Sequence, residues 1–137
     1  MGKKAHELFV GQKAFFTKTI TEVDVVLFAG ISGDHNPVHI NQAYAETTIF
    51  KNRIVHGSLV SSLFSTILGT ELPGEGTIFV DQYNKYIRPV YIQDTITVSV
   101  EVEEIILEKN RVKFKTEAIN QRGETVVVGT ATVVAPK

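Results

Sequence analysis

The segment from Ser58 to Thr70 contains no charged residue, and this feature most constrains how the chain can fold. Its apolar residues recur in pairs four positions apart, which is the spacing of an α-helix. Because the intervening residues are small or carry only a hydroxyl group, the sequence predicts a buried helix, with Gly69 as its C-terminal cap. The apolar residues are Leu59, Val60, Leu63, Phe64, Ile67 and Leu68.

The second half of the chain has the two-residue period of β-strands. Residues 95–102 and 111–118 alternate between apolar and polar side chains, and residues 125–134 are apolar enough for an interior strand. These patterns predict a meander of antiparallel strands around the buried helix. The other predicted elements are strands over 9–19, 77–80 and 82–87, a helix from Thr21 to about Ile31, and a short helix over 41–47.

Composition excludes several classes of protein. The length of 137 residues predicts a single domain over residues 1–137, and a hydrophobic fraction of 43% is ordinary for a globular protein. A formal net charge of -1 gives no general attraction to nucleic acid or to anionic membranes, and the absence of cysteine excludes thiol catalysis. With no apolar run of transmembrane length, we expect a cytoplasmic protein.

Residues 33–39, with the sequence GDHNPVH, place a carboxylate and an imidazole five residues apart. Pro37 restricts its own backbone and that of Asn36, so we predict a bent, non-helical loop in which Asp34 and His39 can face one small volume. Such a pair can activate a water molecule or move protons near neutral pH. The alternative is an ordinary polar turn, with His39 at the entry of a helix. His35 is expected to face solvent.

A second polar feature, His56-Gly57, immediately precedes the buried helix. The first backbone N–H groups of a helix lack intrahelical partners, and the helix dipole favours negative charge at that end. The sequence therefore predicts a position at Gly57 where negative charge on an oxygen can be stabilised.

Taken together, these motifs resemble the MaoC-like dehydratases, and most closely the (R)-specific enoyl-CoA hydratases. The similarity extends over nearly the whole chain and includes the residues after the loop and within the helix. It implies an α+β hot-dog fold, in which an antiparallel β-sheet wraps around a long central helix, and a homodimer. The matching positions are Asp34, Asn36-Pro37-Val38-His39, Ala43-Tyr44-Ala45, His56-Gly57, Ser62-Leu63-Phe64-Ser65 and Leu72-Pro73-Gly74.

The resemblance also implies a role for each site residue. Asp34 and His39 would be the catalytic pair that holds one water for syn hydration of a trans-2-enoyl-CoA, and the Gly57 N–H would be the oxyanion donor. Asn36 would hold the loop, and Ser65 would orient Asp34, although Ser62 lies one helical turn earlier and is the alternative. His56 is expected to support the site without a catalytic role.

Other functions remain open at this point. The same pair would serve an (R)-3-hydroxyacyl dehydratase acting on acyl carrier protein, and some hot-dog proteins are non-catalytic acyl-thioester-binding subunits. A hot-dog thioesterase fits the motif less well. We expect no cofactor, and we consider a metal site formed by Asp34, His39 and His56 less favoured than metal-free acid–base chemistry. Candidate contacts for the CoA phosphates are Lys51, Arg53, Lys85 and Arg88.

Overall fold

The computed structural model describes all 137 residues. Five β-strands form one antiparallel sheet in the order β1-β3-β4-β5-β2, and all four α-helices lie between β1 and β2 in the chain. The strands are β1 (Lys13–Thr19), β2 (Ile78–Tyr86), β3 (Thr95–Ile106), β4 (Arg111–Ile119) and β5 (Thr125–Val134). The helices are α1 (Glu22–Ser32), α2 (Pro37–Ile40), α3 (Gln42–Ala45) and α4 (Gly57–Thr70).

The buried core lies between α4 and the inner face of the sheet. On α4, Phe64 and Ile67 have no exposed surface, and the alternate residues of β3 from Ile96 to Val102 are equally inaccessible. Complete burial of each such side chain contributes about 1.5–3 kcal/mol to the free energy of unfolding. The predicted α+β hot-dog fold is therefore confirmed. None of the helices has the length and apolar character needed to cross a membrane.

The start of α1 is fixed by reciprocal capping. The Thr21 hydroxyl accepts a hydrogen bond from the Asp24 N–H, and the Asp24 carboxylate accepts one from the Thr21 N–H at 2.9 Å. That backbone bond lowers the pKa of Asp24, and the Lys18 ammonium at 3.0 Å lowers it further. The helix ends at Gly33, which has a left-handed φ of 80° and turns the chain into Asp34.

Several predicted boundaries were wrong. The first strand begins at Lys13, because residues 9–12 form a turn with Gly11 at a φ of 91°. The central helix continues through Gly69 to Thr70, and the left-handed residue of the following turn is Gly74. The two strands predicted over 77–87 are one strand, β2, which is interrupted only by a bulge.

Candidate active site

The loop after α1 is shorter than the sequence predicted, because the chain re-enters a helix at Pro37. Asn36 caps this turn by accepting a hydrogen bond from the Val38 N–H at 3.2 Å, and Pro37 occupies the first helical position, where no N–H is needed. The prediction of a non-helical stretch as far as His39 is therefore wrong. The single turn of α2 directs His39 into the protein, where only 8% of the residue is exposed.

Asp34 and His39 face each other across a short gap. The distance from Asp34 Oδ2 to His39 Nε2 is 4.0 Å, which is too long for a direct hydrogen bond. The other ring nitrogen, Nδ1, donates to the Ile54 carbonyl at 2.7 Å, because a carbonyl oxygen can only accept. In the neutral ring, His39 Nε2 therefore presents a lone pair to the gap.

The surroundings of His39 favour its neutral form. Burial is the largest cause that lowers the pKa of His39, and the nearby His56 ring lowers it further. The bond to the Ile54 carbonyl and the Asp34 carboxylate act in the opposite direction but do not reverse the shift. His39 is thus available as a proton acceptor at neutral pH.

His56 contacts both members of this pair. Its ring stacks on His39 with centroids 3.8 Å apart and an interplanar angle of 25°. Its Nε2 donates to the Asp34 carbonyl at 2.9 Å, and its ring also packs against Phe28, with centroids 4.9 Å apart. Only 2% of His56 is exposed, and its Nδ1 has no hydrogen-bond partner.

Gly57 begins α4 directly after His56, and its N–H makes no hydrogen bond within the chain. A Cβ atom at this position would lie 2.7 Å from Cε1 of Tyr86, so glycine is needed for the close approach of that ring. Gly57 and Tyr86 line a cleft of about 540 Å³ together with Ile54 and Arg88. The cleft therefore reaches both the unpaired Gly57 N–H and Ile54, whose carbonyl accepts from His39.

Comparison with known proteins identifies the family of this chain. Residues 9–126 match the family described as "MaoC like domain". The chain belongs to this family. A Rhodospirillum rubrum protein named (R)-specific enoyl-CoA hydratase is 48% identical over 126 residues, which cover 92% of this chain and 87% of that protein.

Two solved structures are similar over their whole fold. The R-hydratase PhaJ1 from Pseudomonas aeruginosa, in its unliganded form, has a TM-score of 0.94 and 48% identity, with 99% of this chain and 87% of that chain covered. The (R)-hydratase from A. caviae involved in PHA biosynthesis has a TM-score of 0.92 and 41% identity, with coverage of 94% and 98%. The family and the hot-dog fold are therefore shown.

One residue assigned from the MaoC-like pattern lies away from the others. Ser65 is exposed, makes no hydrogen bond, and lies nine residues after His56, or about 13 Å along the axis of α4. The expected contact between Ser65 and Asp34 is absent within this chain, because Asp34 is held at the N-terminal end of that helix. Ser62 is also exposed, and its hydroxyl donates to the Leu59 carbonyl.

Arg53 corrects another expectation. We considered it as a contact for the CoA phosphates, but its side chain is only 13% exposed and is already engaged. Its Nε donates to the His39 carbonyl at 2.7 Å, and one terminal nitrogen lies 2.6 Å from Glu22 Oε1. No local motif predicts these contacts, because Arg53 is 14 positions from His39 and 31 positions from Glu22 in the sequence.

The cluster of Asp34, His39 and His56 could also hold a metal ion, since one donor atom from each lies within 4.8 Å of the others. One nitrogen of each imidazole already donates to a carbonyl. Of the imidazole nitrogens, His39 Nε2 and His56 Nδ1 would therefore be available as ligands beside the Asp34 carboxylate. We retain metal-free chemistry as the hypothesis, because a carboxylate and a neutral imidazole can activate water without a cation.

Proposed function

We propose that this chain is an (R)-specific enoyl-CoA hydratase, which catalyses reversible syn addition of water to trans-2-enoyl-CoA to give (R)-3-hydroxyacyl-CoA. The observation that carries the proposal is the gap of 4.0 Å between Asp34 Oδ2 and His39 Nε2. A water oxygen can lie about 2.8 Å from both atoms at once. The 48% identity to a protein named for this reaction supports the same substrate class.

The proposed reaction gives each of these groups one part. The bound water transfers a proton to the Asp34–His39 pair as its oxygen bonds to the β-carbon, and the pair returns one proton to the α-carbon. The net change is the addition of one water molecule. Because the hydroxyl and the proton come from the same side of the double bond, the addition is syn. Negative charge that builds on the thioester oxygen is stabilised by the Gly57 N–H at the start of α4.

The remaining site residues act through this pair. Asn36 holds the catalytic loop by capping α2, and His56 holds the Asp34 backbone. Ser65 is exposed in the single chain, so we propose that it supports the site only in a dimer, where its hydroxyl can contact the second subunit. Hydration is redox-neutral, so the proposed mechanism uses no redox cofactor, and the Asp34–His39 pair activates the water. The cytoplasmic location stays a prediction.

We also propose a homodimer, and the edge strand β2 supports it. β2 pairs only with β5, so its other edge has unsatisfied backbone groups. Its large side chains are exposed as well, with Ile78 and Tyr83 both 62% accessible. Antiparallel pairing of two β2 strands about a two-fold axis would satisfy those backbone groups.

The second candidate function is dehydration of (R)-3-hydroxyacyl groups on acyl carrier protein, which uses the same pair in the reverse direction. Arg88 lines the cleft and is exposed, so it can meet either carrier. The ratio of kcat/KM for crotonyl-CoA to that for crotonyl-acyl carrier protein distinguishes the two. A non-catalytic role is disfavoured, because the chain retains Asp34, His39 and Gly57 in one place.

The decisive test follows the loss of conjugated-enoyl absorbance with crotonyl-CoA and reads product chirality with an (R)-specific dehydrogenase. We expect the wild type to form the (R) product, and Asp34→Asn and His39→Gln each to lower kcat by about 10²–10⁴-fold. The matched control is His35→Gln, which removes an exposed imidazole from the same loop and should retain activity. Activity that survives both catalytic substitutions would contradict the mechanism. A wild type inactive on short and long enoyl-CoA would contradict the hydratase proposal.

A further inference from the structure

We infer that His56 is a positioning residue that sets the gap between the two catalytic groups. It holds Asp34 through the backbone carbonyl, which accepts from its Nε2, and His39 through ring stacking. This inference rests on the proposed function and assigns a task to a residue otherwise expected only to support the site.

Asp34 needs such a restraint because little else fixes it. Its side chain is 52% exposed, so packing does not define its position. Its N–H donates to the Ser32 hydroxyl, and its Oδ1 accepts from the Asn36 N–H, but both partners are only two residues away in the chain. The bond from His56 Nε2 to the Asp34 carbonyl is the only hydrogen bond that ties Asp34 to a distant element. Without it, the loop and its carboxylate can move together relative to His39.

His39 is restrained by His56 in a different direction. The bond from Nδ1 to Ile54 fixes one edge of the His39 ring, and Arg53 fixes its backbone carbonyl. The stacked ring of His56, with its centroid 3.8 Å away, restrains the plane of the His39 ring, so that Nε2 stays directed at Asp34. Because His56 contacts both Asp34 and His39, it restrains the distance between the Asp34 carboxylate and the His39 ring.

The same contact links His56 to the proton affinity of His39. The titratable groups that face His39 are Asp34 from the loop, His56 from the start of α4, and Arg53, which binds its carbonyl. Of the two that affect its pKa, Asp34 raises it and His56 lowers it. Replacement of His56 by a residue that does not titrate removes this lowering contribution, so the pKa of His39 should rise and the acid limb of the pH profile of kcat/KM should move to higher pH.

Two substitutions separate the two contacts. His56→Phe keeps a stacked ring but removes the donor to Asp34, whereas His56→Gln keeps an amide N–H within reach of the carbonyl but removes the ring. Because a displacement of about 1 Å at a reacting group can cost about 10²-fold, we expect His56→Phe to lower kcat by about 10- to 100-fold. We expect KM to change by less than about threefold, since His56 touches no substrate in this mechanism. His56→Gln should retain more of kcat than His56→Phe.

A second readout does not depend on activity. NMR titration of labelled histidine reports the His39 imidazole in the wild type and both variants, and the four histidines can be assigned by substitution. We expect the pKa of His39 to be higher in both variants than in the wild type. Thermal unfolding of each variant shows whether it is folded, so that only folded variants are compared.

The outcomes are distinct. A lower kcat in folded His56→Phe, partly restored in His56→Gln, together with the upward shift of the His39 pKa, supports the inference. Wild-type kcat and an unchanged His39 titration in folded His56→Phe would overturn it, as would equal losses of kcat in the two variants with no shift. If the wild type itself fails to hydrate any enoyl-CoA, the proposed function fails, while the histidine titration still decides whether His56 sets the state of His39.

Discussion

The sheet and the segment from Asp34 to Gly57 are held together by different means. In the sheet, many inward side chains make similar apolar contacts, since every second residue is buried from Ile96 to Val102 in β3 and from Val112 to Ala118 in β4. In the site segment, position depends on single hydrogen bonds, such as those from His39 to Ile54 and from Arg53 to His39. The difference indicates that substitutions in the sheet should change stability, whereas substitutions in the segment should change activity.

The largest effect should come from the sheet. Phe114 has no exposed surface and lies at the centre of β4, so Phe114→Ala removes a buried ring and leaves a cavity. We expect the free energy of unfolding to fall by about 3–5 kcal/mol, measured by urea denaturation. The kcat of the protein that remains folded should be close to that of the wild type.

Phe114→Leu provides a milder version if the alanine variant does not fold. The free energy of unfolding should fall by less than in Phe114→Ala, because leucine retains most of the side-chain volume of phenylalanine. A normal urea midpoint combined with a large loss of kcat in either variant would contradict the proposed separation between sheet and site, since it would mean that the core controls the catalytic geometry directly.

The next effect tests the opposite side of the comparison. Gly57→Ala adds a Cβ atom 2.7 Å from Tyr86 and narrows the approach to the backbone N–H, so kcat should fall by about 10- to 100-fold. The free energy of unfolding should fall by about 1–3 kcal/mol, because the new Cβ displaces the Tyr86 ring, and the higher helix propensity of alanine offsets this only in part. The matched control is Gly69→Ala on the same helix, where a Cβ would meet no atom within 4 Å. Equal losses of activity in the two variants would rule out a specific role for the Gly57 N–H.

Much of the fold could be predicted because its signals are local. The alternation over residues 95–102 predicts the inward face of β3, and all four inward residues are fully buried. The uncharged segment after Gly57 predicts the central helix, and Thr21 predicts the start of α1. Each of these signals is contained within about a dozen residues and rests on one dominant effect, burial or capping.

The site could be predicted only in part. The motif places Asp34, His39, His56 and Gly57 as candidates, and the structure brings them together. What the sequence does not contain is their arrangement: the turn of helix at Pro37, the stacking of His56 on His39, and the cover of Gly57 by Tyr86. These contacts join residues far apart in the chain, so no local pattern predicts them. The separation of Ser65 from Asp34 within one chain also depends on how distant segments pack, so the local motif does not predict it.

The smallest effect we predict concerns Arg53, whose planar group binds the His39 carbonyl and the Glu22 carboxylate at once. A lysine ammonium lacks this fork, so Arg53→Lys should lose one of the two contacts and lower kcat by about 3- to 10-fold, with KM for crotonyl-CoA little changed. Stability should fall by no more than about 1 kcal/mol, because Glu22 is mostly exposed and solvent screens the pair.

Glu22→Gln is the matched control for Arg53→Lys, because it removes the charge partner but leaves the bond to His39 available. If the bond to His39 is what matters, Glu22→Gln should retain more activity than Arg53→Lys. An increase in KM with unchanged kcat in Arg53→Lys would contradict this and would restore Arg53 as a contact for the CoA phosphates. The comparison thus decides whether this arginine belongs to the restraints on the catalytic histidine or to the substrate-binding surface.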